Sequence, residues 1–255
     1  MSAMAEVIIG RNPLLEALKA GRPISKILLE KSASRYGPAR GKIAEIVRLA
    51  QAKRIPVEYV EKPALDRQGS TGAHQGVVAY ATGKEYVTLA DLLALSREKN
   101  EPPFYLVLDG IEDPQNFGAI LRTAEAAGVL GVIVRSRRAV GLTPAVVKAS
   151  AGAVEYVPVA RVANIAQAVE LLKKNNVWVV GLDRAGDLDY ARVDYRPATA
   201  IVIGGEGRGL SDLVRKRCDY LVSISMRGRI TSLNASVAAA VVMYEVLRQR
   251  SGQSS

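Results

Sequence analysis

The chain has 255 residues, 49% of them hydrophobic and 24% charged, which suits one large or two modest packed domains and excludes intrinsic disorder. Its 35 Lys+Arg against 25 Asp+Glu leave a formal net charge of +10, which points to a polyanionic partner, nucleic acid first. A single His (His74) and a single Cys (Cys218) exclude an intrachain disulfide and any zinc site built on several His and Cys ligands, and leave His74 as the sole imidazole for a nucleophilic triad.

Aromatic residues are 5% of the chain, too few for a base-stacking platform. No apolar run reaches the roughly 18 residues of a membrane span. The opening MSAMAEVIIGRNP lacks the basic and apolar regions of a secretory signal. A cytoplasmic protein is expected.

In chain order, residues 1–83 carry 13 Lys/Arg and 7 Asp/Glu, so more than half of the net charge lies in the first third. Short apolar runs at Ile27–Leu29, Val57–Val60 and Val77–Ala81 alternate with helical patterns. Asn12-Pro13 opens a helix through Lys19 with Gly21 past its end, and Ile43, Ile46, Val47 and Ala50 share a helical face. This predicts a small α/β domain. Gly69–Ala73 reads as a flexible loop. Residues 84–103 read as a linker with a short helix, opened by a Thr88/Asp91 capping box and running through Arg97.

From residue 104 the pattern becomes strand, helix, strand. Strands are predicted at Tyr105–Leu108, Val132–Arg135, Tyr156–Val159, Val177–Gly181, Ala200–Ile203 and Tyr220–Ile224. Helices are predicted at Asn116–Ala127, Pro144–Ala151, Ile165–Lys174, Ser211–Arg217 and Leu233–Arg248. The strands are Val/Ile/Leu-rich without alternation, as in a parallel sheet covered on both faces. Residues 251–255 form a polar tail.

Ligands of such sheets bind at the carboxyl ends of the strands. Three loops there are unusual. The first, Asp109 to Gly118, enters a helix bearing Arg122; Asn116 either caps that helix or joins Arg122 at a site. The second, Gly204-Gly205-Glu206-Gly207-Arg208-Gly209, lets backbone approach a ligand, yet it fits neither the dinucleotide fingerprint nor a P-loop. The third, Ile224 to Ser236, gathers Ser232, Asn234 and Ser236 at the start of the last helix, where capping accounts for one polar residue and not for three.

Together the loops resemble, in order and content, the three motifs of the SpoU (TrmH-like) branch of the SPOUT RNA methyltransferases: Asn116-x-Gly118-x-x-x-Arg122, then Gly204-x-Glu206-Gly207-x-Gly209, then Met226-x-Gly228 with Ser232-Leu233-Asn234-x-Ser236. The resemblance runs from about Val7 to Arg250 and is greatest to the bacterial 23S rRNA guanosine-2′-O-methyltransferases. It implies a methyltransferase domain over 104–250 with a mostly parallel sheet and a deep trefoil knot, preceded over 1–83 by a ribosomal-protein-like α/β domain that binds substrate RNA. It implies transfer of a methyl group from S-adenosylmethionine, leaving S-adenosylhomocysteine, to a ribose 2′-hydroxyl. A homodimer is implied, with ribosomal RNA as partner, no metal and no membrane. A transfer RNA, an rRNA adenosine and a non-catalytic assembly role are the alternatives.

Residue by residue, the resemblance places Arg122, Asn116, Glu206, Ser232 and Asn234 in the catalytic group, Arg122 either as an activated base or as a cation that orients a phosphate. It places Gly204, Gly205, Gly207, Ile224, Met226, Leu233 and Leu182 around the cofactor. Substrate contacts are expected from Arg11, Arg22, Lys26, Arg35, Arg40, Lys42 and Arg67, and near the site from Arg227 and Arg229. His74 is expected to be structural. Two departures from the family pattern are Ser225, where Pro usually precedes the motif Met, and Leu182, where a small polar residue is usual.

Overall fold

The computed structural model describes residues 5–34, 41–68, 74–99, 101–137 and 139–252. Gly69–Ala73, Arg35, Arg40 and the end of the polar tail lie outside the described residues. The chain divides into two compact units, Met1–Glu85 with Leu142–Tyr156, and Tyr86–Gly141 with Val157–Ser255.

In the first unit the elements are β1 (Ala5–Ile9), α1 (Arg11–Lys19), β2 (Ile24–Glu30), α2 (Lys42–Ala52), β3 (Val57–Val60), α3 (Lys62–Asp66) and β4 (Val77–Thr82). The sheet order is β1-β4-β2-β3, antiparallel except for the β2–β3 pair. α2 buries Ile43, Ile46 and Ala50 on the face that the sequence marks. His74 is buried: Nδ1 accepts the Gly76 amide at 3.0 Å and Nε2 faces Asp66 Oδ1 at 3.0 Å, so both ring nitrogens serve the fold.

The second unit begins with α4 (Leu89–Arg97), whose capping box forms as the sequence predicts. This helix is not loose linker: Leu89, Leu92 and Leu93 pack into the apolar core of the sheet that follows. Then come β5 (Phe104–Asp109), α5 (Pro114–Ala126) and β6 (Gly131–Arg135). α6 (Pro144–Ala149), next in the chain, packs with β1 and so belongs to the first unit. β7 (Val159–Val162), α7 (Ile165–Lys174), β8 (Trp178–Leu182), β9 (Leu188–Asp189), β10 (Thr199–Gly204), α8 (Asp212–Arg217), β11 (Tyr220–Ser223) and α9 (Ala235–Ser251) complete the second unit.

The strand expected over Tyr156–Val159 starts three residues late. Gly152 sits at φ +99°, a 3-10 turn covers Ala153–Glu155, and Pro158 has no N–H to give a ladder. The tail expected from residue 251 is shortened by α9, which runs on through Ser251.

The seven-stranded sheet has the order β7-β6-β5-β10-β8-β11-β9, and every pair in it is parallel. All six residues of β5 are buried, as strands covered on both faces must be. Because the strands run one way, Asp109, Leu182, Gly204 and Ser223 all end at one edge. β11 enters between β8 and β9, which precede it in the chain. The 183–187 loop therefore crosses it closely enough that a Cβ on Gly186 would lie 2.4 Å from the Val222 carbonyl carbon.

Arg22, expected on an RNA-facing surface, is instead 8% exposed. Its Nη1 donates to Glu155 Oε1 at 2.7 Å, its Nη2 to Glu6, and its Nε to the Thr82 carbonyl at 2.9 Å. A buried carboxylate needs a cation beside it, and Glu155 takes its own from both Arg22 and Lys84. Arg22→Met strands these carboxylates and should cost about 3–5 kcal/mol, read by urea denaturation. A loss below about 1 kcal/mol would return Arg22 to the surface residues.

Candidate active site

The site is built from the edge of the parallel sheet outward. After β5, Asp113 is the N-cap of α5, accepting the Asn116 amide at 2.9 Å, and Pro114 occupies the first turn. The cap is therefore not Asn116, whose side chain is left for other work. It is 8% exposed, and its Nδ2 donates to Glu206 Oε1 at 2.7 Å.

Glu206 sits in the turn after β10. Gly204 and Gly205 are required there by close approach: a Cβ would lie 2.2 Å from the Gly209 carbonyl carbon at the first and 2.3 Å from the Gly110 oxygen at the second. Asp109 brackets this turn from below. Its carbonyl accepts the Gly205 amide at 3.0 Å, and its carboxylate accepts the Ser211 amide at 2.9 Å and hydroxyl at 2.7 Å.

Asn234 closes the cluster. It is the N-cap of α9, its Oδ1 accepting the Ser236 and Val237 amides at 2.9 and 3.4 Å. The Nδ2 on the same side chain donates to Asn116 Oδ1 and to Glu206 Oε1, each at 2.9 Å. One residue is thus both the helix cap and the joint between the three loops. Glu206 Oε2 has no partner among the described residues.

Beside this cluster lies a cavity of about 560 Å³, within the range of small-molecule sites. All seven residues expected around a cofactor line it: Leu182, Gly204, Gly205, Gly207, Ile224, Met226 and Leu233. Glu206, Ser232 and Asn234 line it too. Asn116 stands one hydrogen bond behind the wall. Arg122 does not line it: the side chain is exposed on α5 and makes no hydrogen bond or ion pair among the described residues. Arg227 and Arg229 are exposed in the loop before α9. In the first unit, Arg11 and Lys42 face one shallow hollow with Asn12 and Gln75, Lys26 pairs with Glu58, and Arg67 is exposed.

The residues that sequence reasoning missed are acidic: Asp109, Asp113 and Asp183. Asp113-Pro114 is a readable helix-start signature, whereas Asp109 and Asp183 carry no local signal. Among the described residues no cluster of His, Cys, Asp and Glu could hold a metal ion.

These features define a class: a parallel α/β domain with a cavity at the carboxyl edge of its sheet, walled by the segments that follow β8, β10 and β11. The sequence model described as "SpoU rRNA Methylase family" matches residues 103–244, and that described as "RNA 2′-O ribose methyltransferase substrate binding" matches residues 7–87. A Bacillus subtilis protein assigned to the TrmH family of tRNA/rRNA methyltransferases, YacO, is 45% identical over 250 residues, 98% of each chain. The SpoU methyltransferase AviRb of Streptomyces viridochromogenes, solved with AdoMet, aligns with a TM-score of 0.80 at 28% identity over 97% of this chain and 91% of its own. An AdoMet-bound rRNA methyltransferase of Sinorhizobium meliloti aligns at 0.77 and 26% identity, over 96% and 87%. The chain belongs to the SpoU rRNA methylase family.

Cys218, beside β8, is the only thiol, and burial pushes its pKa up to about 12. Its Sγ donates to the Val214 carbonyl at 3.3 Å. Alkylation of Cys218 by iodoacetamide at pH 8 should run on the order of 100-fold slower in the folded chain than in urea. Equal rates would contradict the burial.

Proposed function

We propose that this chain transfers the methyl group of S-adenosylmethionine to a ribose 2′-hydroxyl of RNA, and that the target is a guanosine of 23S ribosomal RNA. The observation that carries this is the hydrogen-bonded meeting of Asn116, Glu206 and Asn234, of which the last two line a cavity with apolar and glycine walls. The residues present suit the methyl donor. Leu182, Ile224, Met226 and Leu233 offer apolar surface to a purine and a thioether, while glycine backbone in the 204–209 turn offers polar edges. The Nε of Arg215 on the same cavity is a buried donor without a partner among the described residues. When bound, the donor supplies a methyl group already activated by its positive sulfur.

What the chain must add is position. Glu206 presents Oε2 to a ribose hydroxyl while its Oε1 is held by two amides. Ser232, exposed on the cavity wall, supplies a second polar contact. Holding two reactants in line removes several kcal/mol of barrier, about 7 kcal/mol or more in the best oriented cases. Arg122 acts as the cation that orients a phosphate next to the reacting hydroxyl. Its exposure on α5, away from the cavity wall, supports a contact with RNA. His74 stays out of the chemistry, since its nitrogens are engaged within the first unit.

Two further parts of the reading have support in the fold. The insertion of β11 between β8 and β9, beneath the 183–187 loop, supports a trefoil knot in the C-terminal part. Val237 and Tyr244, 49% and 52% exposed on α9, support pairing of two copies through that helix. No described helix is long and apolar enough to cross a membrane.

Arg122→Ala should lower single-turnover methyl transfer by at least ~100-fold while leaving donor and RNA binding near the wild-type level. Transfer at the wild-type rate would remove Arg122 from the mechanism. Tritiated-methyl transfer to unmodified total RNA, with mapping of the alkali-resistant dinucleotide, should yield a guanosine in 23S rRNA; a tRNA product, or none, would overturn the target or the activity. RNA affinity should fall steeply with salt, roughly tenfold or more between 50 and 200 mM, if Arg11, Lys26, Lys42, Arg67, Arg227 and Arg229 meet phosphates. An affinity flat over that range would sink the basic-surface reading.

A further inference from the structure

The cavity carries a charged pair that the three motifs do not contain. Asp183 follows β8, and its side chain is 5% exposed. Both carboxylate oxygens are engaged. Oδ1 accepts the Ala185 amide at 2.9 Å, and Oδ2 accepts Nη2 of Arg215 at 2.7 Å. The Asp183 backbone N–H is tied in turn to the Val222 carbonyl at 2.9 Å. Asp183 is therefore not free to turn toward a ligand. Its effect is to hold the Arg215 guanidinium against the cavity.

Arg215 lies on α8, and its side chain is 40% exposed where it lines the cavity. Nη1 makes no hydrogen bond, and the buried Nε has no partner, among the described residues. A planar fork fixed by one carboxylate, with donors left over, is arranged to receive a second anion. Asp183 and Arg215 together are neutral, but Arg184 and Arg208 line the same cavity and add positive potential. Those two make no hydrogen bond or ion pair among the described residues, so neither is held in place as Arg215 is.

We propose that Arg215, positioned by Asp183, reads the carboxylate at the amino-acid end of the methyl donor and makes the cavity selective for donors that carry it. This rests on the reading of the cavity as the S-adenosylmethionine site. The chemistry singles out the carboxylate because the adenosine half of the donor is neutral and the carboxylate is its one anionic group. An RNA phosphate is the competing anion, and the position of Arg215 on the cavity wall favours the small molecule.

Two probes separate the possibilities by calorimetry on the full chain. S-adenosylhomocysteine carries the amino-acid end; 5′-methylthioadenosine shares the adenosine and the thioether and lacks it. Arg215→Gln should weaken S-adenosylhomocysteine roughly 10- to 100-fold and leave 5′-methylthioadenosine within about twofold, the retained affinity also proving that the pocket is folded. Should the single variant unfold, Asp183→Asn with Arg215→Gln removes both charges and is expected to show the same contrast. Equal losses for both probes, an unchanged affinity for both, or a loss of RNA affinity alone would overturn the proposal. Wild-type chain that binds neither probe would overturn the methyl-donor reading, and this proposal with it.

Discussion

The amide group of Asn234 is the joint on which the candidate site depends. Its oxygen caps the last helix, and its nitrogen holds Asn116 and Glu206, which lie on two other loops. Hydrogen bonds to a charged acceptor contribute about 1.5–3 kcal/mol each when shielded, and less where water competes, as it does around Glu206. Their value here is geometric. Three segments far apart in sequence share one carboxylate, so a shift in any of them is felt by the other two.

That meeting is possible because of what lies beneath it. A sheet whose strands all run one way delivers its loops to a single edge, and the β5–β10 register sets Asp109 opposite Gly204. From there Asp109 can hold both ends of the glycine turn, by its carbonyl to Gly205 and by its carboxylate to Ser211. The burial of every β5 residue keeps that anchor still. Asp113 has a quieter part: by taking the cap of α5 it frees Asn116 for Glu206. Capping and function compete for the same residue types, and this fold settles the competition differently at its two helix starts. At α5 a second residue does the capping; at α9 one residue does both.

The legible parts of the molecule are those with a local physical signal. Continuous apolar runs mark β5, β6, β8 and β10 to within a residue or so, and the Thr88/Asp91 pair announces α4. The seven residues that the family resemblance sets around a cofactor line one cavity; among them only the glycines of the 204–209 turn carry a local signal of their own. Long-range pairing was not legible. Strand order leaves no trace in periodicity, so the insertion of β11 between β8 and β9 could not be read, and β9, with two residues, has no pattern to read. Arg22 looks like any surface arginine until Glu155 is brought to it from 133 residues away. Asp183 and Arg215 are likewise ordinary polar residues until folding joins them.

The first unit is not a continuous stretch of chain. Leu142–Tyr156 completes it, bringing α6 against β1 and Glu155 to Arg22. During synthesis the first 85 residues therefore leave the ribosome without their last layer, and the arginine at their centre waits for its second carboxylate until β5 and β6, two of the seven strands of the parallel sheet, have been made. A chain cut after residue 85 would carry an uncovered apolar strip and a half-paired cation. The two halves of the protein are thus interleaved in time: the first unit can reach its final packing only after the opening strands of the second have been made.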